Sequence, residues 1–342
     1  MLVHYKCPNC GSDMKFDSES GNLACDSCGN KEHIDSYDDI HIEKTFEENE
    51  AKEYHCENCG AVVLTDADTT ATSCSFCSAP VVLADRLSGD LAPAQVIPFS
   101  ISKEEAMVAF KKWCKNGRLT PKGFMTADRV KSVTGIYVPF WMYDLDNDIE
   151  VKATGTKVNS YRRGDYRYTE THYYDVYRSL YARYLKVPVD ASEKMDDELM
   201  DKLEPYNYGE LKEFKTPYLA GYLAEKYNYT DDELFGRVKS KINSFVHTYI
   251  KSTISGYTTV NYQQRDIQTK TVKSDYVLLP VWMVYYDFDK KEHTFAMNGQ
   301  TGKIVGKPPV SFQKVALWFS GISASVFIVF LILTLILGGG YS

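Results

Sequence analysis

The chain has 342 residues, of which 44% are hydrophobic and 25% charged, and this composition excludes a disordered or fibrous protein. The net charge of −7 is uneven, because residues 1–92 contain 6 Lys/Arg and 18 Asp/Glu and so carry −12. Nucleic-acid-binding faces need Lys and Arg to displace phosphate counterions, so the acidic part favours a basic protein partner over nucleic acid.

Four Cys-x-x-Cys pairs occupy this acidic part. Their cysteines are Cys7, Cys10, Cys25, Cys28, Cys56, Cys59, Cys74 and Cys77. The two pairs of each half are equally spaced, and the whole unit occurs twice, with Cys56 in the place of Cys7. Zinc prefers four soft, deprotonated ligands in a tetrahedron, and two such pairs on facing hairpins supply them. The pattern predicts two tandem four-cysteine zinc ribbons with two structural Zn²⁺ ions.

A redox dithiol or a disulfide is the alternative interpretation of each pair. The first residues, Met1 to Lys6, lead directly into the first pair without a secretory signal, so we expect a reducing cytoplasm, which favours zinc over disulfides. All eight ligand positions are filled by cysteine, which indicates closed, structural sites. We therefore interpret the nearby His4 and His55 as surface residues.

Composition and turn residues divide the chain into six predicted segments of an α+β protein. They are zinc ribbon 1 (1–35), an acidic linker (36–53), zinc ribbon 2 (54–85), a second linker (86–98), a β-rich α+β domain (99–312) and a transmembrane helix (313–338). We expect replacement of one ligand, such as Cys10 or Cys59, to uncouple one ribbon and leave the α+β domain intact.

Helix signals are spread over the α+β domain. Ser102 with Glu105 and Thr230 with Glu233 are capping boxes that open two helices. The second helix is predicted to bury one face, made of Leu234, Val238, Ile242, Phe245 and Tyr249. Asp190 and Glu193 predict the cap of a third helix, which Pro205 ends, and residues 218–227 are predicted to form a short fourth one.

Strand signals dominate the rest of the domain. Strands are predicted at 136–143, 149–158, 166–187, 257–265 and 267–273, and a hairpin at 295–306. A Pro-apolar-Trp-Met motif occurs twice, around Trp141 and Trp282. It predicts two equivalent strands in a pseudo-symmetric domain, with the tryptophans packed in the core; a ligand groove between them is the alternative.

The final stretch, Val315 to Leu337, contains no charged residue. As a helix it would span about 34 Å, enough to cross the hydrocarbon core of a bilayer. Lys303, Lys307 and Lys314 precede it, and the positive-inside rule then places everything before residue 315 in the cytoplasm. The sequence predicts a single-pass C-terminal anchor in the cell membrane, with the lipid bilayer around residues 315–337.

Motifs that carry catalysis are not found. The sequence contains no His-Glu-x-x-His, Gly-x-Ser-x-Gly, phosphate-binding loop or Gly-x-Gly-x-x-Gly motif. Cys114 lies on the apolar stripe of a predicted helix and is interpreted as a core residue. We therefore expect a protein that is not an enzyme, with no catalytic residue.

Several stretches carry a resemblance that covers the whole chain. They are Tyr5-Lys6-Cys7-Pro8-Asn9-Cys10-Gly11, Leu119-Thr120-Pro121-Lys122-Gly123-Phe124, Gly135-Ile136-Tyr137-Val138-Pro139-Phe140-Trp141 and Asn298-Gly299-Gln300-Thr301-Gly302-Lys303. With these the chain resembles a bacterial family of TFIIB-type zinc-ribbon-containing proteins, which is sometimes labelled replication factor Y or primosomal helicase-like. A helicase motor needs a phosphate loop, so the helicase activity is rejected.

The same resemblance extends to a membrane-anchored zinc-ribbon protein of bacterial envelope-stress operons. Such operons encode SPFH (flotillin-like) and phage-shock-type membrane proteins, which the resemblance implies as partners. The leading hypothesis is a membrane-anchored adaptor that faces the cytoplasm and recruits protein partners during membrane stress. The alternatives are a nucleic-acid-associated zinc-ribbon protein and a ligand sensor that acts through the α+β domain.

Overall fold

The computed structural model is a sheet-rich α+β fold with four α-helices in the part of the chain that it describes. The described residues are 2–37, 52–56, 59, 61–65, 68–74, 77, 79–83, 87, 92–115, 119–121, 124, 130–288 and 291–338. Most of the predicted acidic linker lies outside this set, as do the side chains of His55 and Cys114.

Sixteen described strands form three sheets of eleven, three and two strands. The N-terminal strands are β1 (Leu2–Val3), β2 (Met14–Asp17), β3 (Asn22–Cys25), β4 (Lys31–Glu32), β5 (Lys52–His55), β6 (Val62–Thr65), β7 (Thr69–Ser73), β8 (Pro80–Leu83) and β9 (Gln95–Val96). The others are β10 (Val130–Arg163), β11 (Tyr166–Asp190), β12 (Lys212–Glu213), β13 (Leu223–Glu225), β14 (Thr259–Phe288), β15 (Lys291–Asn298) and β16 (Ile304–Gly306). The helices are α1 (Lys103–Lys115), α2 (Asp197–Leu203), α3 (Asp231–Thr253) and α4 (Phe312–Gly338).

The α+β domain is a duplicated unit built around the long strands β10 and β14. These strands run antiparallel with Val138 opposite Leu279. A local two-fold axis through this pair exchanges the two strands, and it relates Trp141 to Trp282. The predicted equivalence of the two tryptophan strands is confirmed.

The shorter elements follow the same two-fold relation. Gln95 of β9 pairs in parallel with Val277, and Leu223 of β13 pairs in parallel with Ile136, the residue that the two-fold axis relates to Val277. Each short strand leads into a helix whose capping box is present, α1 after β9 and α3 after β13. Both predicted capping boxes are therefore confirmed, and they occupy equivalent places.

Each tryptophan holds the segment that enters one of these helices. The indole N–H of Trp282 donates to the Ile101 carbonyl (3.1 Å), and that of Trp141 donates to the Tyr229 carbonyl (2.8 Å). The rings of Trp282 and Trp141 also pack against Phe99 and Tyr227, respectively. The tryptophans are thus used in packing, as predicted.

The sheet separates the core into layers. Helices α1 and α3 cover one face of β10 and β14, and α2 covers the other. Because side chains alternate across a strand, odd-numbered residues of β10 face α1 and α3 and even-numbered ones face α2. Long stretches of β10 and β14 are consequently buried on both faces.

Strands predicted as separate segments are continuous. Residues 136–143 and 149–158 belong to the single 34-residue β10, and 259–273 and the second tryptophan motif belong to the 30-residue β14. Acidic residues suggest a strand end near Asp146. Its carboxylate instead receives two hydrogen bonds from Arg183 on the neighbouring strand, at 2.6 and 2.9 Å, so it fits within an exposed sheet face.

The helix predicted at 218–227 is wrong. Residues 216–219 form a 3₁₀ turn, and β13 follows at Leu223–Glu225. Gly221 between them has φ +91°, a conformation that a helix interior excludes and that favours glycine. The apolar residues of this segment pack into two different cores, since Leu219 lies in the cluster with α1 and Leu223 packs against the cluster with α2. Their spacing therefore resembles a helical one without a helix.

The other helices also differ from the predictions in detail. Asp190 ends β11, and the cap of α2 is Asp196, whose carboxylate accepts from the Leu199 amide at 2.7 Å. The buried face of α3 contains Val246 and Ile250, while the predicted Phe245 and Tyr249 are exposed. A helix rotates by about 100° per residue, so choosing Phe245 in place of Val246 moves the predicted face away from the buried one.

Candidate metal centres

Ribbon 1 brings its four cysteines together with two matching turns. The Gly11 amide donates to the Cys7 carbonyl (2.8 Å), and the Gly29 amide donates to the Cys25 carbonyl (2.9 Å). Gly11 and Gly29 have φ +73° and +74°, a left-handed conformation that favours glycine. The hairpin of β2 and β3 sets the two turns opposite each other.

Ribbon 2 uses different strands but keeps the turn bonds of ribbon 1, where the Cys7 amide donates to the Ser12 carbonyl and the Cys25 amide to the Asn30 carbonyl. The Cys56 amide donates to the Ala61 carbonyl (2.8 Å), and the Cys74 amide donates to the Ala79 carbonyl (2.9 Å). Strands β5 and β6 carry the first pair of cysteines, and β7 and β8 carry the second.

The sulfur atoms form two clusters of the size that zinc requires. In each cluster all four Sγ atoms lie within 4.8 Å of one another. Cys7 and Cys28, and Cys10 and Cys25, approach to 3.5 Å in ribbon 1, and the equivalent pairs in ribbon 2 approach to 3.7 Å. A Zn–S bond of about 2.3 Å in a tetrahedron places sulfur atoms about 3.8 Å apart. The eight residues therefore fit two structural zinc ions.

The electrostatics of the thiols also call for a cation. The Ser12 hydroxyl and amide lower the pKa of Cys10 to about 6 by hydrogen bonding to its thiolate. At Cys28 the Asn30 amide lowers the pKa, but the neighbouring Cys7 and Cys10 outweigh it and raise the pKa to about 12. Four crowded thiols thus cannot all ionise on their own, and a divalent metal ion supplies the missing positive charge.

Burial is arranged alike in the two clusters. The first cysteine of each pair is buried, and the second is exposed or half-buried. Zinc ions held by these cysteines would lie between the ribbon core and an outer edge made by the tips of the turns. In ribbon 1 these tips, residues 8–11 and 26–29, are exposed.

His4 differs from its prediction as a surface residue. Its ring is partly covered, and neither ring nitrogen has exposed area or a hydrogen-bond partner in the described part of the chain. It follows β1, which pairs with β8 of ribbon 2. Nothing in the local sequence indicates this burial, because strand β8 lies far along the chain and belongs to the other ribbon.

Ribbon 1 packs against the α+β domain, which the sequence did not predict. Tyr5 donates its hydroxyl to Thr216 Oγ1 at 2.6 Å in a buried position, and the Phe16 amide donates to the Ala220 carbonyl at 2.9 Å. The Lys215 ammonium pairs with Asp35 at 2.8 Å. Residues of the ribbon core and of the domain belong to one continuous apolar cluster, which includes the ligands Cys7 and Cys25.

Ribbon 2 is joined to the same segment by strand pairing. Ala71 of β7 lies opposite Ala224 of β13, and the Lys226 amide donates to the Asp68 carbonyl at 2.8 Å. In this way β1, β8 and β7 extend the large sheet of the domain. We call residues 215–226 the ribbon seat, since both ribbons contact it.

A cleft of about 560 Å³ lies where ribbon 1, ribbon 2 and the α+β domain meet. Ribbon 1 contributes Lys15 and Asp26, and the domain contributes Tyr222 and Trp282. The Lys15 and Asp26 side chains form an ion pair at 2.9 Å. The cleft is a consequence of the seat, and sequence reasoning had no means to find it.

Fold and site together define a zinc-ribbon protein with two structural zinc sites. Residues 5–46 match the family model described as TFIIB zinc-binding, and the second cysteine cluster repeats its ligand pattern.

The chain is 61% identical over 341 residues to "Uncharacterized protein YdjG" of Bacillus subtilis (strain 168), and the match covers 100% of both chains. It therefore belongs to the same family as YdjG. No solved structure matches the chain.

Proposed function

We propose that this protein is a membrane-anchored zinc-ribbon adaptor that faces the cytoplasm and recruits protein partners. The observation that carries the proposal is α4, a 27-residue helix that is long and apolar enough to span a membrane. Its apolar side chains are exposed along the described part of the helix, so α4 is not a core helix of this fold. A lipid bilayer would cover them at low free energy.

The contacts at the start of α4 support a domain held close to the bilayer. The Ser311 amide donates to the Leu119 carbonyl at 2.8 Å, and the Lys314 ammonium donates to the Thr120 carbonyl at 2.6 Å. These bonds fix the first turn of the helix to the α+β domain. Lys303, Lys307 and Lys314 all precede the apolar part, which favours a cytoplasmic location for the domain.

The adaptor role is supported by the form of the ribbons. Both ribbons contact the seat, and the turn tips at residues 8–11 and 26–29 remain exposed. Exposed carboxylates of ribbon 1, such as Glu19 and Asp26, suit a basic surface on the partner. By resemblance, SPFH (flotillin-like) or phage-shock-type membrane proteins are the partners to examine first, and membrane stress is the setting.

Membrane residence is tested by fractionation of cells that express the full chain or a chain ending at residue 311. We expect the full chain to stay with membranes after alkaline carbonate extraction and the shortened chain to be released. Protease added to intact spheroplasts should leave the ribbons uncut, because the domain is on the cytoplasmic side. A full chain in the soluble fraction contradicts the proposal.

Partner recruitment is tested with a surface variant that preserves the zinc sites. Asn9→Ala with Asp26→Ala changes the turn tips of ribbon 1, and Lys239→Ala on the exposed side of α3 is the matched control. We expect proteins that co-purify from solubilised membranes with the wild-type chain to be reduced about tenfold by the first variant, given a few energetically dominant contacts. Equal recovery from both variants contradicts a recruiting role of the ribbon tips.

A further inference from the structure

The hairpin of β10 and β11 extends beyond the body of the protein. Strand β14 ends its pairing with β10 at Thr156, so β10 and β11 alone continue through residues 157–172, joined by a single turn at residues 164–165. Every residue from 157 to 175 is exposed. We call these residues the arm. Isolated two-stranded ribbons are at best marginally stable in water, so an arm without a core invites a further strand.

The Val158 amide donates to Thr258 Oγ1 at 3.1 Å, but no described strand pairs with either outer edge of the arm. The charges of the two edges differ. The β10 edge carries Lys157, Arg162 and Arg163, all of one sign, so pairing with the same edge of another copy would oppose like charges. Charged side chains of one sign protect natural edge strands from pairing with other chains in the same way. The β11 edge carries both signs. Their order is self-complementary, so that antiparallel pairing of two copies places basic side chains opposite acidic ones.

The symmetry of the β11 edge is centred on Thr171. When two copies pair antiparallel about this residue, Glu170 faces His172, and Arg167 faces Asp175, each pair occurring twice. Tyr168 faces Tyr174 in the same register. Residues that face each other lie on the same side of the sheet, as an antiparallel pair requires.

Other registers lose this match. Moving the centre to position 170 places Glu170 opposite itself, and moving it to position 172 places His172 opposite itself. Within one copy, Arg167 does not use all of its N–H donors, so some can bond to a second copy. Arg167 donates Nε–H to Ser160 Oγ at 3.0 Å, and its guanidinium carries further N–H groups.

We propose that two copies of this protein associate through the β11 edges of their arms, paired antiparallel over Arg167–Asp175 around a two-fold axis at Thr171. The sheet of one copy would continue into that of the other, with ladder hydrogen bonds giving affinity and the charge pairs fixing the register. The pairing does not depend on the membrane anchor or on recruitment by the ribbons.

Photocrosslinking of the full chain in detergent tests the register without touching the zinc thiols. Thr171→p-benzoylphenylalanine places the probe on the proposed axis, and Tyr181→p-benzoylphenylalanine is the matched control. Tyr181 is exposed on the same face of β11 but lies beyond the reach of the partner's tip. We expect a crosslinked dimer on a denaturing gel from position 171 and at least tenfold less from position 181.

A charge exchange tests the pairing by an independent measurement. Asp175→Arg places the new arginine opposite Arg167 of the other copy at both ends of the paired segment. We expect the dimer dissociation constant, measured by mass photometry, to rise about tenfold. Adding Arg167→Asp to the same chain restores the opposite charges and should recover the wild-type constant. The proposal is overturned if position 171 gives no more dimer than position 181, or if the double variant dissociates like the single one.

Discussion

At the scale of single residues, the metal ligands could be predicted and the buried polar groups could not. The cysteines are recognisable because each ribbon needs only local spacing, and both clusters formed as predicted. Asp190 fits the pattern of a helix cap, yet it is fully buried at the end of β11, and its Oδ2 atom has no hydrogen-bond partner among the described residues. Its surroundings come from distant parts of the chain.

The pKa of Asp190 makes stability depend on pH. Burial raises this pKa from 3.8 to about 7, although the Ser192 amide and Arg237 lower it in part. The folded state therefore holds the proton more tightly than the unfolded state, and stability falls as pH rises from about 4 to 7. The equivalent position in the other half of the domain is Asn298, whose Oδ1 accepts from the Gln300 amide as Asp190 Oδ1 accepts from that of Ser192.

Asp190→Asn should accordingly stabilise the protein at pH 8 by about 1–3 kcal/mol, because no charge is then buried. At pH 5 the native carboxyl is protonated but the unfolded one is already mostly ionised, so the gain should be smaller than at pH 8. Urea unfolding at both pH values measures this difference. A gain of equal size at pH 5 and pH 8 would show that ionisation of Asp190 is not the cause.

At the scale of elements, local signals located helices correctly where a cap is present and failed where backbone geometry decides. The capping boxes at Ser102 and Thr230 were predicted because both partners lie within four residues. Residues 218–227 were predicted as helix because apolar spacing does not reveal φ at Gly221. Strand continuity in β10 was missed for a similar reason, since Arg183, which pairs with Asp146, comes from another strand.

Gly221→Ala should weaken the contact between ribbon 1 and its seat. A Cβ atom there would need φ near +91° and would lie 3.2 Å from the Lys15 side chain. We expect a loss of about 1–2 kcal/mol in the free energy of unfolding. Gly236→Ala is the control, because it lies in α3 with open space around it and should instead stabilise by about 0.5–1 kcal/mol. Thermal melting of both variants distinguishes a conformational requirement from general sensitivity to alanine.

At the scale of the whole molecule, the class of fold and the C-terminal apolar helix were predictable, and the association of the parts was not. The six segment boundaries remain a prediction, but strand pairing and a common apolar cluster connect both ribbons to the α+β domain. Docking depends on shape and on residues far apart in sequence, such as Tyr5 and Thr216. The internal duplication was visible only through the two tryptophan motifs.

The common core changes the expected effect of zinc removal. Cys25 is 2% exposed within the cluster that also contains Trp282, so loss of zinc from ribbon 1 should loosen the α+β domain and not only the ribbon. We expect a strong chelator to lower the melting temperature followed by tryptophan fluorescence, and excess zinc to restore it. Cys25→Ser should halve the zinc content from two ions per chain and lower the same transition, while Ser27→Ala on the exposed tip should do neither. An unchanged tryptophan transition without zinc would instead support independent domains, as expected from the sequence.

The position of the ribbon seat has a consequence for biosynthesis. The ribbons end at residue 83, whereas the seat begins at residue 215. At about 5–20 residues per second, a ribosome needs roughly 7–26 seconds to make the intervening chain. During this interval a nascent ribbon can capture its metal ion but exposes the apolar side of Phe16, so chaperones have a defined period in which to shield it.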